Sequence, residues 1–349
     1  MDESCLMGDS LKQAWAEGYD IVALNESNDP RTWIDQGVRL PPRDAVQYPF
    51  HDFPVYFSTV GRWLSTESLD THLRRLWTGA LGAVRTNEEE EFNRITHWPL
   101  ISAMDLSMRV SDANAYLAWW LTHRSYVQKT SAEQYVIQLG RRPFWHPYRE
   151  ATGAMRRAPL WGTWYAATPD YAGSAAYRDA ITAHAGWGAW TAVAVAQIAA
   201  RLCAGSLSLS EAFIQTIQAL TPHQPAAGTL LAECQTAYAA GRSLDEWLPC
   251  ILTTFSGYPK DHSLPNFVIL MATSLFFSGD VKKSLADIGR MGWDSVGNRI
   301  VFGALEGLRN PSRQSQALPA FVEPCIQRSI QLIPKPPHIL RGVSGAAPE

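Results

Sequence analysis

Fourteen tryptophans among 349 residues are the side chains of this sequence best suited to shaping a ligand site. Each brings a large aromatic body and a single N–H that needs a partner. Gathered around a cavity, such rings favour flat, apolar or cationic ligands; dispersed, they are core. Trp119, Trp120, Trp161, Trp164, Trp187, Trp190 and Trp293 lie near the segments singled out below. Two or three of them are expected to wall a pocket, with the others in the core. Asp294 stands directly before a helical run, where aspartate commonly accepts the first free backbone N–H groups. Cys5, Cys203, Cys234, Cys250 and Cys325 form no Cys-x-x-Cys pair. That removes zinc knuckles and thioredoxin-type chemistry, and points to reduced thiols in a cytosolic protein. His97, His123, His146 and His262 have no partner that spacing identifies.

The net charge of −3 and pI near 6.3 lack the basic footprint of a nucleic-acid binder. The N-terminus, MDESCLMGDSLKQAW, is acidic and without the apolar centre of a secretory signal. No apolar run reaches the ~18 residues of a membrane span. The expected setting is therefore cytoplasmic, with a small-molecule substrate, no nucleic acid and no membrane; oligomeric state is open.

The elements that must position these groups are helical. Residues 1–64 are punctuated by Asn28-Asp29-Pro30, Pro41-Pro42, Pro49 and Pro54, which predicts an irregular strap packed on the body. From Ser65 the spacing of Leu69, Leu73, Leu76, Trp77 and Ala80 predicts a helix. Leu106, Val110, Leu117 and Leu121 predict a second, and residues 131–140 a shorter third. Residues 141–162 carry three prolines and two glycines and read as largely loop. The Ala-rich stretch 171–204 reads as helical, followed by helices at Ser208–Leu220, Thr229–Ala240, Leu244–Thr254 and in three further segments to Asn310. Residues 311–349 read as a proline-rich tail. No alternating strand runs and no fixed-period repeat are found. The expectation is an all-α protein whose helical domain spans 65–310.

Three segments, in order, resemble the ADP-ribosylglycohydrolase family. Gly292-Trp293-Asp294-Ser295-Val296-Gly297-Asn298 resembles its Asp-Thr-Asp loop, and Gly303, Ala304, Leu305 and Gly307 its small-residue helix. Gly153-Ala154-Met155-Arg156 resembles its Gly-Ala-Met-Arg loop, and Ile181-Thr182-Ala183-His184 its Thr-His segment. Leu76–Val84 resembles the opening Gly-Ala helix, and Ser111-Asp112-Ala113-Asn114 stands at the Thr-Asp-Asp-Thr motif. The resemblance implies a compact, multi-helix orthogonal bundle. It leaves residues 1–60 unexplained.

Members of that family hold two Mg²⁺ ions between two acidic loops, because hard cations take carboxylate and hydroxyl oxygens. Here each loop keeps one carboxylate of two, and Val296 ligates nothing. The expectation is no metal and no cofactor, with a single weak Mg²⁺ between Asp112 and Asp294 as the alternative. The resemblance sets Asp112 and Asp294 face to face. Without metal, two close carboxylates separate in pKa and become an acid and a base. Ser111, Asn114, Gly153, Met155, Arg156, His184, Trp293, Ser295 and Asn298 are the implied substrate-binding residues; Arg156 is suited to clamping an anion.

The functional expectation is a metal-independent member of that scaffold. It would act on a ribosyl-type glycoside or a repurposed small metabolite by hydrolysis, rearrangement or cyclisation. The alternative is an inactive relative that binds ADP-ribose or a protein partner. Asn298, Phe302 and Glu306 fall at i, i+4 and i+8, faintly like a metal motif of isoprenoid cyclases. Phe at the middle position and the lack of an Asp-rich motif weigh against that fold.

Overall fold

A computed structural model describes residues 66–83, 113–122, 131–140, 146–310, 318 and 322–332. These form thirteen helices: α1 (Thr66–Gly82), α2 (Ala113–Thr122), α3 (Ser131–Leu139), α4 (Gly153–Trp164), α5 (Pro169–Ala180), α6 (Gly186–Cys203), α7 (Leu209–Leu220), α8 (Pro225–Ala239), α9 (Leu244–Thr254), α10 (Ser263–Leu275), α11 (Val281–Met291), α12 (Ser295–Arg309) and α13 (Val322–Leu332). Among the described residues the only β-type pairing is one isolated bridge, Ala151 to His262. The all-α expectation holds. No described helix is long and apolar enough to cross a membrane. The expected strap at 1–64 lies outside the described residues, and most of 311–349 does too.

The centre of the body is α6. Every residue from Gly186 to Cys203 except Arg201 is buried, as required of a helix apolar on all sides. Its alanines present little side-chain bulk, so α4 and α5 lie close along it. A second close approach joins α1 to α12. A Cβ at Gly79 would overlap the carbonyl oxygen of Gly303 and lie 2.8 Å from Gly307 Cα. These two backbones touch because no side chain separates them.

Helix ends follow local chemistry where that chemistry is local. Ser208 with Glu211 and Ser243 with Glu246 form reciprocal capping boxes. Several stretches differ from the sequence expectation. The Ala-rich stretch is broken at 181–185, because distant groups take over the ends: Ala185 N–H donates to Arg149 O (2.8 Å), and the Glu150 carboxylate accepts from Trp187 N–H (3.1 Å) at the start of α6. Within 141–162, which reads as loop, Gly153–Trp164 is helix α4 despite the internal Pro159. An interior proline costs about 3 kcal/mol. Ten of the twelve residues of α4 are buried, which offsets that cost. Residues Val322–Leu332, inside the stretch read as a tail, form α13 against α1, where Glu323 accepts from both terminal nitrogens of Arg74 (2.9 and 2.8 Å).

The tryptophans divide as core first. Trp77, Trp120, Trp161 and Trp190 are fully buried. Trp190 stands edge-on between Trp187 and Phe267. Trp164 and Trp293 are partly buried against the same core. The side chain of Trp119 lies outside the described residues.

Candidate functional site

Asp294 lies mostly buried at the start of α12. It caps α12: its Oδ1 accepts from Gly297 N–H at 3.2 Å. Its Oδ2 accepts from Thr152 Oγ1 at 2.9 Å and from Arg156 Nε at 2.5 Å, and Arg156 Nη2 also pairs with it. Both partners are mostly buried, the side chains of Arg156 and Asp294 being 14% and 8% exposed. Three of these four donors fall on Oδ2 and one on Oδ1, which keeps a lone pair for a further donor. A Cβ at Gly297 would overlap Asp294 Oδ2 and lie 2.7 Å from Arg156 Nε. The absence of a side chain at 297 is thus a condition for the ion pair.

The turn that presents Asp294 is strained. Gly292 (φ +81°) is followed by Trp293 at φ +47°, a left-handed conformation rare for a bulky residue. Such a residue costs roughly 1–3 kcal/mol and persists only where its surroundings fix it. The fixing group is Asn266 on α10. Its Nδ2 donates to His262 O (2.7 Å) and Lys260 O (3.0 Å), which orients its Oδ1 the other way. That oxygen accepts from Asp294 N–H (3.0 Å) and from Asn298 Nδ2 (2.7 Å). The amide orientation of Asn298 follows, and its Oδ1 is left buried without a hydrogen-bond partner.

Thr152 and Arg156 come from the opposite wall, the turn entering α4. Thr152 N–H donates to Asp261 O (2.8 Å), Ser263 N–H to Glu150 O (2.7 Å) and Ser263 Oγ to Ala151 O (2.8 Å). The His262 ring accepts at Nδ1 from Leu264 N–H (3.2 Å), so its Nε2 carries the proton and faces Glu150 Oε2 at 3.4 Å. Burial raises the Glu150 carboxyl, but His262, the Arg149 charge and Trp187 N–H together hold it below the usual range.

Behind this wall is a buried ionic cluster. Arg157 Nε donates to Asp179 Oδ2 (2.6 Å) and its Nη1 pairs with Glu133 Oε1. Trp161 Nε1 also donates to Asp179 Oδ2 (3.0 Å). His184 Nε2 lies 3.2 Å from Glu133 Oε1 and 3.3 Å from Ala154 N. Burial pushes Glu133 upward, yet the Arg157 charge and the His184 contact outweigh it and bring it to about 2. His146 is brought down to about 3 by burial and the neighbouring His184, so it is neutral; its Nε2 donates to Ala183 O at 2.7 Å.

Of the residues picked from sequence, Asp294, Arg156 and Asn298 converge. Gly153 opens α4, Met155 is wholly buried in the core, Ser295 opens α12 and Trp293 forms the strained turn. His184 sits in the ionic cluster. Ser111 and Asp112 lie outside the described residues; Asn114 is on α2, with its side chain outside them. Thr152 and Asn266 were not anticipated. Thr152 is 142 residues from Asp294 and precedes the Gly-Ala-Met-Arg run, so spacing carries no signal for it. The tandem Arg156-Arg157 within a stretch of small and apolar residues was the available hint for the buried cluster.

Through Arg156 and Asp294 the geometry joins two of the three segments that carry the resemblance, the one opening at Gly153 and 292–298. A family model described as ADP-ribosylglycohydrolase matches residues 41–320. This chain belongs to the ADP-ribosylglycohydrolase family. No match emerges among curated proteins or solved structures. The family implies a Mg²⁺ pair held between two acidic loops, of which only the second lies among the described residues. Among the described residues no group of three or more His, Cys, Asp or Glu is placed to hold a metal ion. In that second loop Val296 offers no side-chain oxygen, and Asp294 Oδ2 is taken up by Thr152 and Arg156 while Oδ1 accepts from Gly297 N–H.

Proposed function

We propose that this ADP-ribosylglycohydrolase-family chain takes a ribosyl-type glycoside against the face formed by Thr152, Arg156 and Asp294, and works there without a metal pair. The observation that supports this most is the Thr152–Asp294–Arg156 contact, which fixes a charged group between the two segments typical of the family. Asp294, held against the Arg156 guanidinium, orients ligand hydroxyls and offsets positive charge developing at an anomeric carbon. Asp112, from the first acidic motif, is the complementary acid or base.

A second reading is ligand binding without turnover. It is favoured by the crowding of Asp294 Oδ2 by Thr152 and Arg156, since those donors stabilise the carboxylate and weaken it as a base. One experiment separates the two. An ADP-ribosylated peptide and free ADP-ribose are offered to the wild type, Asp112→Asn and Asp294→Asn, each with Mg²⁺ and with EDTA. Release of ADP-ribose in EDTA that is lost in both variants is the expected result. Binding without release supports the second reading. Release that needs Mg²⁺, or that needs neither aspartate, overturns the proposal.

A further inference from the structure

We infer that Glu150 is a positioning residue: its buried carboxylate locks the turn entering α4 against the turn entering α10, and so sets the spacing of Thr152 and Asn266, the two groups that hold Asp294 from different sides. Thr152 donates to the Asp294 carboxylate from the start of α4, and Asn266 on α10 accepts from the Asp294 N–H. The segments that carry them pair directly, 150–152 against 261–263, around the Ala151–His262 bridge. The pairing has two backbone hydrogen bonds, Thr152 N–H to Asp261 O and Ser263 N–H to Glu150 O, and Ser263 Oγ adds a third to Ala151 O. So short a pair of extended segments is marginal by itself.

Glu150 fastens that pairing from both of its oxygens. Oε1 accepts from Trp187 N–H, one of the first N–H groups of α6, where the helix dipole favours negative charge. Oε2 faces Nε2–H of His262, on the paired segment, at 3.4 Å. The backbone is pressed onto α6 as well: a Cβ at Gly188 would lie 2.5 Å from Arg149 O and 3.0 Å from Glu150 Cα. The His262 ring is fixed in turn by Leu264 N–H at its Nδ1 and by the edge-on ring of Tyr258, 4.8 Å away. His262 O accepts from Asn266 Nδ2 at 2.7 Å, which orients the amide that receives Asp294. One carboxylate therefore reaches Asp294 by two routes, along the chain to Thr152 and through His262 to Asn266. Hydrogen bonds to an ionised carboxylate are stronger than those between neutral groups, which suits Glu150 to fixing both. The consequence for ligand binding rests on the function proposed above; the positioning of Asp294 does not.

The test compares the full chain with Glu150→Gln, which leaves one acceptor for the two N–H donors of Trp187 and His262, and with His262→Phe, which keeps a ring against Tyr258 and removes the donor. The reporter is the Arg156 Nε–H, which bonds to Asp294 Oδ2 and is mostly buried. Its NMR resonance is assigned by its loss in Arg156→Lys. Hydrogen exchange at this Nε–H is expected to rise about tenfold in both variants, while backbone exchange in α8, remote from the contact, changes by less than about twofold. The combined variant should exceed the larger single effect by less than about twofold, because both substitutions cut the same link. Affinity for ADP-ribose, measured by calorimetry, should fall about tenfold in each. If Glu150→Gln does not fold, His262→Phe still decides. Unchanged exchange at Arg156 Nε–H, or exchange that rises equally in α8, overturns the positioning role. Fully additive effects in the combined variant overturn the route through His262. Raised Arg156 exchange with unchanged ADP-ribose affinity overturns the consequence for binding. A wild type that does not bind ADP-ribose defeats the proposed function, and the Arg156 exchange then judges the positioning alone.

Discussion

Replacing Glu133 by Gln isolates the buried charge cluster. The amide keeps the shape of the carboxylate and removes its charge, while the pair of Arg157 with Asp179 remains. The folded carboxyl titrates at about 2, against 4.5 for the free group. A depressed acid pKa contributes stability that is present above the unfolded value and lost as pH falls through the folded one. The window for Glu133 is therefore pH 4.5 down to about 2. At 1.36 kcal/mol per pKa unit, the difference corresponds to about 3 kcal/mol. Breaking a buried ion pair from one side costs about 3–5 kcal/mol, and the remaining Asp179 keeps the figure at the low end. Urea unfolding at a series of pH values is the assay. Glu133→Gln should lose about 3 kcal/mol at pH 7, and its deficit should shrink toward zero as pH falls through that window. Other carboxylates titrate in both proteins, so the difference between the two curves reports Glu133. Parallel curves, or a deficit under about 1 kcal/mol at pH 7, would refute the assignment of a charged, paired Glu133.

Gly79→Ala should destabilise the protein by about 2 kcal/mol despite better helix propensity, because α1 and α12 must separate; thermal unfolding measures it. Arg156→Met leaves the mostly buried Asp294 without its cation and should cost about 3 kcal/mol in urea unfolding, with Asp294→Asn/Arg156→Met recovering part of the loss. Ser208→Ala and Ser243→Ala should each cost about 1 kcal/mol, additively, since the two capping boxes are independent. Burial pushes the Cys203 thiol up to about 12 and raises Cys234 as well, so neither should react with iodoacetamide at pH 8 until the chain is unfolded.

The helices that were legible are those whose signals are local. Leu244–Thr254 follows from its apolar spacing together with Ser243 and Glu246, and Asp294 caps α12 as its place before the run suggests. Helix α4 was not legible, because Pro159 argues against a helix and only burial against α6 overrules it. The break before Gly186 was hidden for the opposite reason. Alanine favours helix throughout, and the interruption is imposed by Arg149 and Glu150 from another segment. At the site, the motif-like segments single out Asp294, Arg156 and Asn298, which the structure brings together. Their partners were not, since Thr152 and Asn266 meet them only through the tertiary fold. Arg156 was read as a clamp for a ligand anion, and in the structure its anion is Asp294.

One amide oxygen, Asn266 Oδ1, receives both the N–H of Asp294 and the side chain of Asn298. It works as a shared hinge pin between α10 and the first turn of α12. A small slide of α10 would tug both residues together and tilt the carboxylate without breaking a covalent or ionic link. Residues farther along α10, such as Thr273, thereby gain a mechanical lever on the aspartate.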